Sequence, residues 1–317
     1  MGKFKNLDLT QCDGLRLKAL IRSGIKMLEL RKDELDSIDV FPVPDGDAGK
    51  NMHYTLLAAW QSVRKTGSSS AGKVAHAAAT GAFQGARGCS GMIFLSLLTG
   101  FANVVKEKDV ITPQDFAKGL SVAADEAYKK LAEPKEGTIL TVARKLAAAA
   151  EKICENKATL LDVLKAVHEE SKLALSQTPE ELPALKEAGV VDAGASGLVY
   201  FFEGMLRYSL AQPINKTASG SPLKAPNVKE SSREEYCVEF ILVGSNIDEN
   251  KLMKTLTEIG HAVILNKGEG EQFKIHIHAP DPKNVFDRTS RFGRPTHIKV
   301  DDLSHEQKAY SKKLNKK

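Results

Sequence analysis

Cysteine is scarce in this 317-residue chain, and the four present, Cys12, Cys89, Cys154 and Cys237, are scattered without framework spacing. That excludes a disulfide scaffold and fits reduced thiols. Aromatic residues make up only 6% of the chain, and basic residues do not cluster with them. A stacking groove for single-stranded nucleic acid is therefore not expected. A net charge of +5 is too small to argue for a nucleic-acid partner, although it suits an anionic ligand. Much of the excess sits in the terminal KKLNKK, expected to fray in water. No run approaches the ~18 apolar residues of a membrane span, and MGKFKNLDL carries no apolar signal core. The expectation is a cytoplasmic protein without stable membrane insertion. No internal repeat is present.

What the chain does have is organised in two blocks. From Leu9 to Leu210 apolar residues recur at helical spacing, as in Leu17, Leu20, Ile21, Ile25 and Leu28. Thr112 and Pro113 mark one helix start, cap followed by first-turn proline. Glycine and proline breaks divide the block into about eight helices, predicting an all-α antiparallel bundle or barrel over residues 1–211. Residues 212–235, rich in proline and small polar residues, read as a linker. Past it the period switches to two. YCVEFILVG, HAVILNKG, EQFKIHIHA and THIKVDD read as strands, with helices between the first and second and between the third and fourth. That β-α-β-β-α-β order predicts a small α+β ferredoxin-like domain over 236–302, with a basic tail over 303–317.

One loop stands out. VFPVPDGDAGKNM, Val40 to Met52, packs two prolines, two aspartates and two glycines before a helix, with Asp39 just upstream. Bunched carboxylates repel unless something positive sits among them. The loop fails the P-loop pattern in spacing and last residue. It fails the EF-hand pattern as well, since Gly49 and Leu56 fall where ligands are required. Asp39, Asp45 and Asp47 remain as oxygen ligands suited to Mg²⁺, which completes its shell with water and phosphate. The alternative is a capping loop in which Asp47 closes the following helix.

Three further helix starts are rich in glycine or small hydroxyl residues. GARGCSGMIFLSLL offers backbone N–H groups and Ser90 to a phosphate at the positive end of a helix dipole, or else glycines for close helix packing. PKEGTILTVARK offers Thr138, and GVVDAGASGLVY offers Asp192.

Together, VFPVPDGDAGKNM, GARGCSGMI, PKEGTILTVAR and KEAGVVDAGASGLVYFFEGML resemble the nucleotide-binding L-type domain of dihydroxyacetone kinases. The likeness is nearest to the version in the catalytic subunit of bacterial fatty acid kinase, and it runs through essentially the whole helical block in order. YCVEFILVG, KIHIHAPDP and IKVDDLSHEQ resemble the middle domain of that same kinase component. The resemblance implies an eight-helix barrel binding ATP or ADP with two Mg²⁺ ions. It also implies a DegV-like fatty-acid-binding protein as partner, presenting an acyl carboxylate for phosphorylation. Carried over by position, Asp45 and Asp47 match the family's metal-binding pair. Asp39 stands where the fatty acid kinase component usually has Asn, but near a third metal-binding Asp of the dihydroxyacetone kinases. The three are thus the implied metal-binding and catalytic acids. Asn51, Ser90 and Gly91 match phosphate-side positions, and Thr138, Asp192 and Gly194 match positions around the nucleotide. Cys89 stands beside Ser90 where the family usually has Asn. Arg87 is placed to oppose phosphate charge, with a surface salt bridge as the plain alternative. Ala48 and Lys50 replace the usual threonines, and GASG stands where GGQG is common.

In the second block, strand parity puts His276 and His278 on one face of KIHIHA, and Cys237 and Glu239 on one face of YCVEFIL. Antiparallel pairing of these strands would bring Cys237 beside His278, clustering Cys237, His276 and His278 on the helix-free face. That is a Zn²⁺ ligand set with one open position, and the resemblance implies zinc in the middle domain too. The alternative is a polar face with solvated histidines.

The sequence thus points to an ATP- and Mg²⁺-dependent kinase component that converts a carrier-held fatty acid to an acyl phosphate. Two other readings stay open, a non-catalytic nucleotide-binding regulator or scaffold and a dihydroxyacetone-type kinase component. Homodimerisation is left open as well. Family members carry a further C-terminal domain beyond IKVDDLSHEQ, so the expectation is an incomplete enzyme.

Overall fold

The computed structural model describes residues 10–215, Pro226 and 234–314. Nine helices occupy the first block among these residues: α1 (Gly14–Asp36), α2 (Ala48–Lys65), α3 (Ala71–Gly85), α4 (Gly88–Val105), α5 (Pro113–Lys130), α6 (Ile139–Cys154), α7 (Leu160–Glu181), α8 (Pro183–Ala188) and α9 (Ala193–Ser209). The helix beyond the expected eight is α8, six residues that start at Pro183 and stop at Gly189, whose φ is +71°. Two-residue strands β1 (Cys12–Asp13) and β2 (Val110–Ile111) pair antiparallel, a detail too short for periodicity to register.

Local sequence explains most helix starts. Thr112 and Thr159 form capping boxes with Asp115 and Asp162, each hydroxyl accepting from the third residue's N–H. Asp13, Thr138 and Asp192 accept first-turn N–H groups at α1, α6 and α9. Each such cap contributes about 1 kcal/mol. Helices adjacent in sequence pack side by side from α1 to α7, α9 packs on α7, and α9 returns against α1. Leu20, Leu28, Met52, Leu56 and Phe94 lie at the centre, each 2% exposed or less.

Helix α4 corrects one expectation: by length and composition it is apolar enough to cross a membrane. Half of it is buried within the protein, against α2, α3 and α5. A core helix surrounded by other helices needs the same apolar girth as a spanning one.

Of the expected linker 212–235, residues 216–225 and 227–233 lie outside the described residues. The second block runs β3 (Tyr236–Val243), α10 (Glu249–Thr257), β4 (His261–Lys267), β5 (Gln272–Ala279), α11 (Pro282–Thr289) and β6 (Arg294–Asp302). Its strands form one antiparallel sheet in the order β4-β5-β3-β6. Val238, Phe240, Leu242, Ile275 and Ile277 face α10 and α11 in a core of their own. The opposite face, expected to be helix-free, lies on the helical block. Ile241 and Ile264 join the helical core there, and Asn266 bonds Ser96 and the Met92 carbonyl of α4.

The expected tail is a second correction. Leu303–Leu314 form helix α12, with Leu303, Gln307, Tyr310 and Ser311 buried. Residues 315–317 of KKLNKK lie outside the described residues.

Candidate functional site

Helix α1 ends at Asp36, and the chain then turns through Asp39 and the loop into α2. Asp36 and Asp39 occupy the start of α2 between them. Asp39 Oδ2 accepts from the N–H groups of Asp47 (3.1 Å) and Ala48 (2.9 Å). Asp36 accepts from the Lys50 N–H at 3.1 Å and pairs with its ammonium at 3.1 Å. Asp47 sits at the capping position, yet its side chain makes no cap bond. The capping alternative therefore names the wrong carboxylate: Asp39 does that work, and Asp47 stays with Asp45 in the loop.

Ligand-capable oxygens of Asp39, Asp45 and Asp47 lie within 4.8 Å of one another. Burial first, then the charge of Asp47, pushes the Asp39 carboxyl up to about 8. Burial and both neighbours raise Asp45 well above the usual range, and burial raises Asp47. Burial dominates these shifts, with mutual repulsion adding to those of Asp39 and Asp45, while Lys299 offsets part of the charge at Asp47.

The start of α4 faces this cluster. Gly88 has φ +59°, and a Cβ there would collide with the Asn51 side chain. A Cβ on Gly91 would collide with Thr55, so Gly91 is a packing glycine between α4 and α2. Cys89 and Ser90 line the small cavity, about 30 Å³, that also holds the three aspartates and Asn51. They line as well a larger cavity of about 250 Å³, shared with Thr138, Asp192 and Gly194. Burial pushes the Cys89 thiol up to about 12, so it is a neutral wall.

Thr138 and Asp192 hold the far side of that larger cavity. Thr138 Oγ1 donates to the Lys135 carbonyl at 2.7 Å. Asp192 Oδ2 accepts from the N–H groups of Ala195 (2.7 Å) and Ile139 (3.0 Å), clasping the starts of α9 and α6 together. Burial raises its carboxyl to about 6 against the pull of both N–H groups. A Cβ on Gly194 would come 3.2 Å from that oxygen. Arg87 stands apart from these groups, exposed and over the Tyr54 ring at 5.0 Å.

The sheet closes the small cavity from above. Pairing of β3 with β5 sets Cys237 opposite His278 and Glu239 opposite His276. Cys237, His276 and His278 offer ligand atoms within 4.8 Å of one another. All three are buried, at 6%, 1% and 3% exposure, so the solvated-histidine alternative does not hold. His276 Nε2 and His278 Nδ1 are buried with no hydrogen-bond partner. Burial, then the neighbouring His276 and His261, holds the His278 ring well below its ordinary pKa. Burial and Glu239 raise the Cys237 thiol well above its own.

Glu239 belongs to the site although no motif marks it; its parity with Cys237 is the one signal the sequence offers. Its Oε1 accepts from the Gly88 N–H at 2.6 Å and meets His276 Nδ1 at 3.1 Å. Against burial, the His276 bond holds its carboxyl below the usual value. It ties the sheet to the first residue of α4. Lys299, Asp301 and Glu306 also line the cavity. Lys299 pairs with Asp301 and lies 3.9 Å from Glu239. Burial, then Asp301 and Asp47, raises Glu306 to about 7. All three lie in IKVDDLSHEQ, which carries the middle-domain resemblance but gave them no role in the site.

Comparisons with known proteins bear on the same segments. The DAK2 domain family model matches residues 42–207, just over half of the chain. A second model, the FakA-like middle domain of fatty acid kinase, matches residues 233–310. The helical match is to the DAK2 domain, which replaces the L-type name that the motifs suggest. Protein YloV of Bacillus subtilis is 31% identical over 316 residues, covering 95% of this chain and 57% of that protein. An uncharacterized protein of Staphylococcus saprophyticus is 30% identical over 321 residues, covering 96% and 58% respectively. The chain thus spans under three fifths of the length of these relatives.

Proposed function

Because this chain belongs to the DAK2-domain family and carries a FakA-like middle domain of the fatty acid kinase type, we propose that it is the nucleotide-binding part of a fatty acid kinase. The reaction is phosphoryl transfer from ATP to a fatty acid carboxylate held by a DegV-like carrier, giving an acyl phosphate. One observation carries the reading: three mutually repelling carboxylates share a cavity with the start of α4, and Phe41, Pro42, Cys89 and Ser90 line both that cavity and a larger one of about 250 Å³. We read the helices packed in sequence from α1 to α9 as the family's eight-helix barrel, with α8 as an added turn.

The residues fit Mg²⁺. Their donors are all carboxylate oxygens, and burial together with mutual repulsion raises the proton affinities of Asp39 and Asp45, a cost that a bound divalent ion would offset. Mg²⁺ held by Asp39, Asp45 and Asp47 would neutralise phosphate charge during transfer. The chain's own contribution is positional. Asp39 is fixed by two N–H groups of α2, so the loop arrives with its backbone already set. Asp39 and Asp36 take the Ala48 and Lys50 N–H groups of α2, and Glu239 takes the Gly88 N–H of α4, so the N–H groups that follow Gly88 are the ones suited to the phosphates. Ser90 borders both cavities and suits a contact at the phosphate junction. An acceptor carboxylate is already ionised near neutral pH, so no general base is needed.

Cys237, His276 and His278 fit Zn²⁺ by donor type, by closeness and by the two unpartnered imidazole nitrogens. Zinc there would join the strands of the sheet beneath the cavity roof. Its binding requires the Cys237 proton to leave.

The test is calorimetry of ADP with and without Mg²⁺, followed by ADP formation from ATP with an oleate-loaded DegV-like protein. The kinase reading expects Mg²⁺-dependent binding and carrier-dependent turnover, both lost in Asp45→Ala. Tight binding without carrier-dependent turnover selects the scaffold reading. Turnover with a dihydroxyacetone-loaded protein instead selects the third.

A further inference from the structure

The acid cavity has two open neighbours, and the nucleotide accounts for one. The inner cavity of about 250 Å³ is walled by Thr138, Asp192 and β4 and meets the acids at Cys89 and Ser90. Asp45 and Asp47 also border an outer cleft of about 370 Å³, which shares no lining residue with the inner cavity. Its walls come from α2, from Arg87 ahead of α4, from β6 and from α12. Four cations line it, Lys50, Arg87, Lys299 and Lys313, facing Asp45, Asp47 and Glu306. Lys50 and Lys299 already pair with Asp36 and Asp301. Arg87 and Lys313 are exposed and form no ion pair among the described residues. Two solvent-facing cations at the lip of a negatively charged cavity are misplaced for holding metal, but well placed for receiving an anion from outside.

From this arrangement we infer that the outer cleft admits the acceptor carboxylate, and that its lip docks an acidic rim on the protein presenting it. The inference rests on the phosphotransfer reading above. In-line transfer requires acceptor and leaving group on opposite sides of the γ-phosphorus. A carboxylate oxygen forms the new O–P bond while the bond from phosphorus to the β,γ-bridging oxygen breaks. That bond's electron pair leaves with ADP, and no proton moves. With the nucleotide in the inner cavity, the outer cleft is the separate approach that still reaches Asp45 and Asp47. Helix α12 then becomes a wall of the acceptor path. Tyr310 packs on Gly46 of the acidic loop so closely that a Cβ there would strike its ring. Lys313, one turn on from Tyr310, reaches the lip.

The test measures association of the whole chain with an oleate-loaded DegV-like protein, beside its binding of Mg²⁺·ADP. The variants are Lys313→Glu, Arg87→Glu and, as a net-charge control on the same helix away from the cleft, Lys308→Glu. Lys313→Glu should weaken association about tenfold, Arg87→Glu similarly, and Lys308→Glu very little. Mg²⁺·ADP affinity of Lys313→Glu should match the unsubstituted chain. Unchanged association in both cleft variants overturns this inference alone, as does equal weakening by Lys308→Glu. Loss of Mg²⁺·ADP binding in Lys313→Glu overturns it too, by assigning the cleft to the nucleotide. If the unsubstituted chain binds Mg²⁺·ADP but no loaded carrier, the kinase reading and this inference fall together.

Discussion

Substituting Asp39→Asn should make the metal-free protein more stable while removing much of its response to Mg²⁺. Unfolded, this carboxyl loses its proton near its ordinary 3.8; in the fold it does so near 8. Between those values the folded chain holds a proton that the unfolded chain has lost. Stability therefore falls as pH rises through that window. Each pH unit costs about 1.4 kcal/mol, so by pH 7 the sum is roughly 4 kcal/mol. Asparagine cannot ionise, yet its carbonyl oxygen can still accept from the Asp47 and Ala48 N–H groups that Asp39 now serves. Relaxation of Asp45 and Asp47 returns part of the sum, leaving an expected gain of about 2 kcal/mol, or roughly 4–8 °C in melting temperature. At pH 5 the gain should shrink to less than half, because most of the window has not yet been crossed. The assay is thermal unfolding in EDTA at both pH values, repeated with Mg²⁺ and ADP. A variant that melts lower than the parent in EDTA, or that gains as much from Mg²⁺ as the parent does, breaks this chain of inference.

Two other substitutions probe the walls of the site. Gly88→Ala meets both a positive φ of +59° and the Asn51 side chain. It should weaken Mg²⁺·ADP binding at least tenfold in calorimetry, as roughly 1–3 kcal/mol of strain displaces the start of α4. Gly67→Ala, with nothing within 4 Å, should leave that affinity unchanged. Cys237→Ser should reduce zinc, measured by plasma emission on protein purified without chelator, from about one atom per chain to near none. Equal zinc in both proteins would assign the metal elsewhere.

The sequence carried the sheet well because parity is a short-range property. Val238, Phe240 and Leu242 alternate with Cys237, Glu239 and Ile241, and the alternation fixed which residues would meet His276 and His278. The acidic loop was legible for a different reason, since Asp45 and Asp47 are neighbours in the chain and need no tertiary contact to cluster. What stayed hidden depends on distant segments. Helix α12 buries Gln307, Tyr310 and Ser311, a largely polar face without the apolar stripe that periodicity detects. Glu239 looks like any strand glutamate until the sheet docks on α4 and gives it the Gly88 N–H. The capping role belonged to Asp39 rather than Asp47 because the loop folds back eight and nine residues to bring the Asp47 and Ala48 N–H groups to it, beyond the reach of a local capping rule.

Everything proposed for this site depends on Asp39, Asp45 and Asp47 holding divalent ions against a nucleotide's phosphates at the start of α4. The decisive experiment uses crystals grown with ADP and Mn²⁺ in place of Mg²⁺, measured at a wavelength where manganese scatters anomalously. Anomalous peaks should bridge those three carboxylates to the phosphates, with the adenosine in the cavity bounded by Thr138 and Asp192. Nucleotide bound elsewhere, or bound there with no manganese among the aspartates, would show the assignment to be wrong.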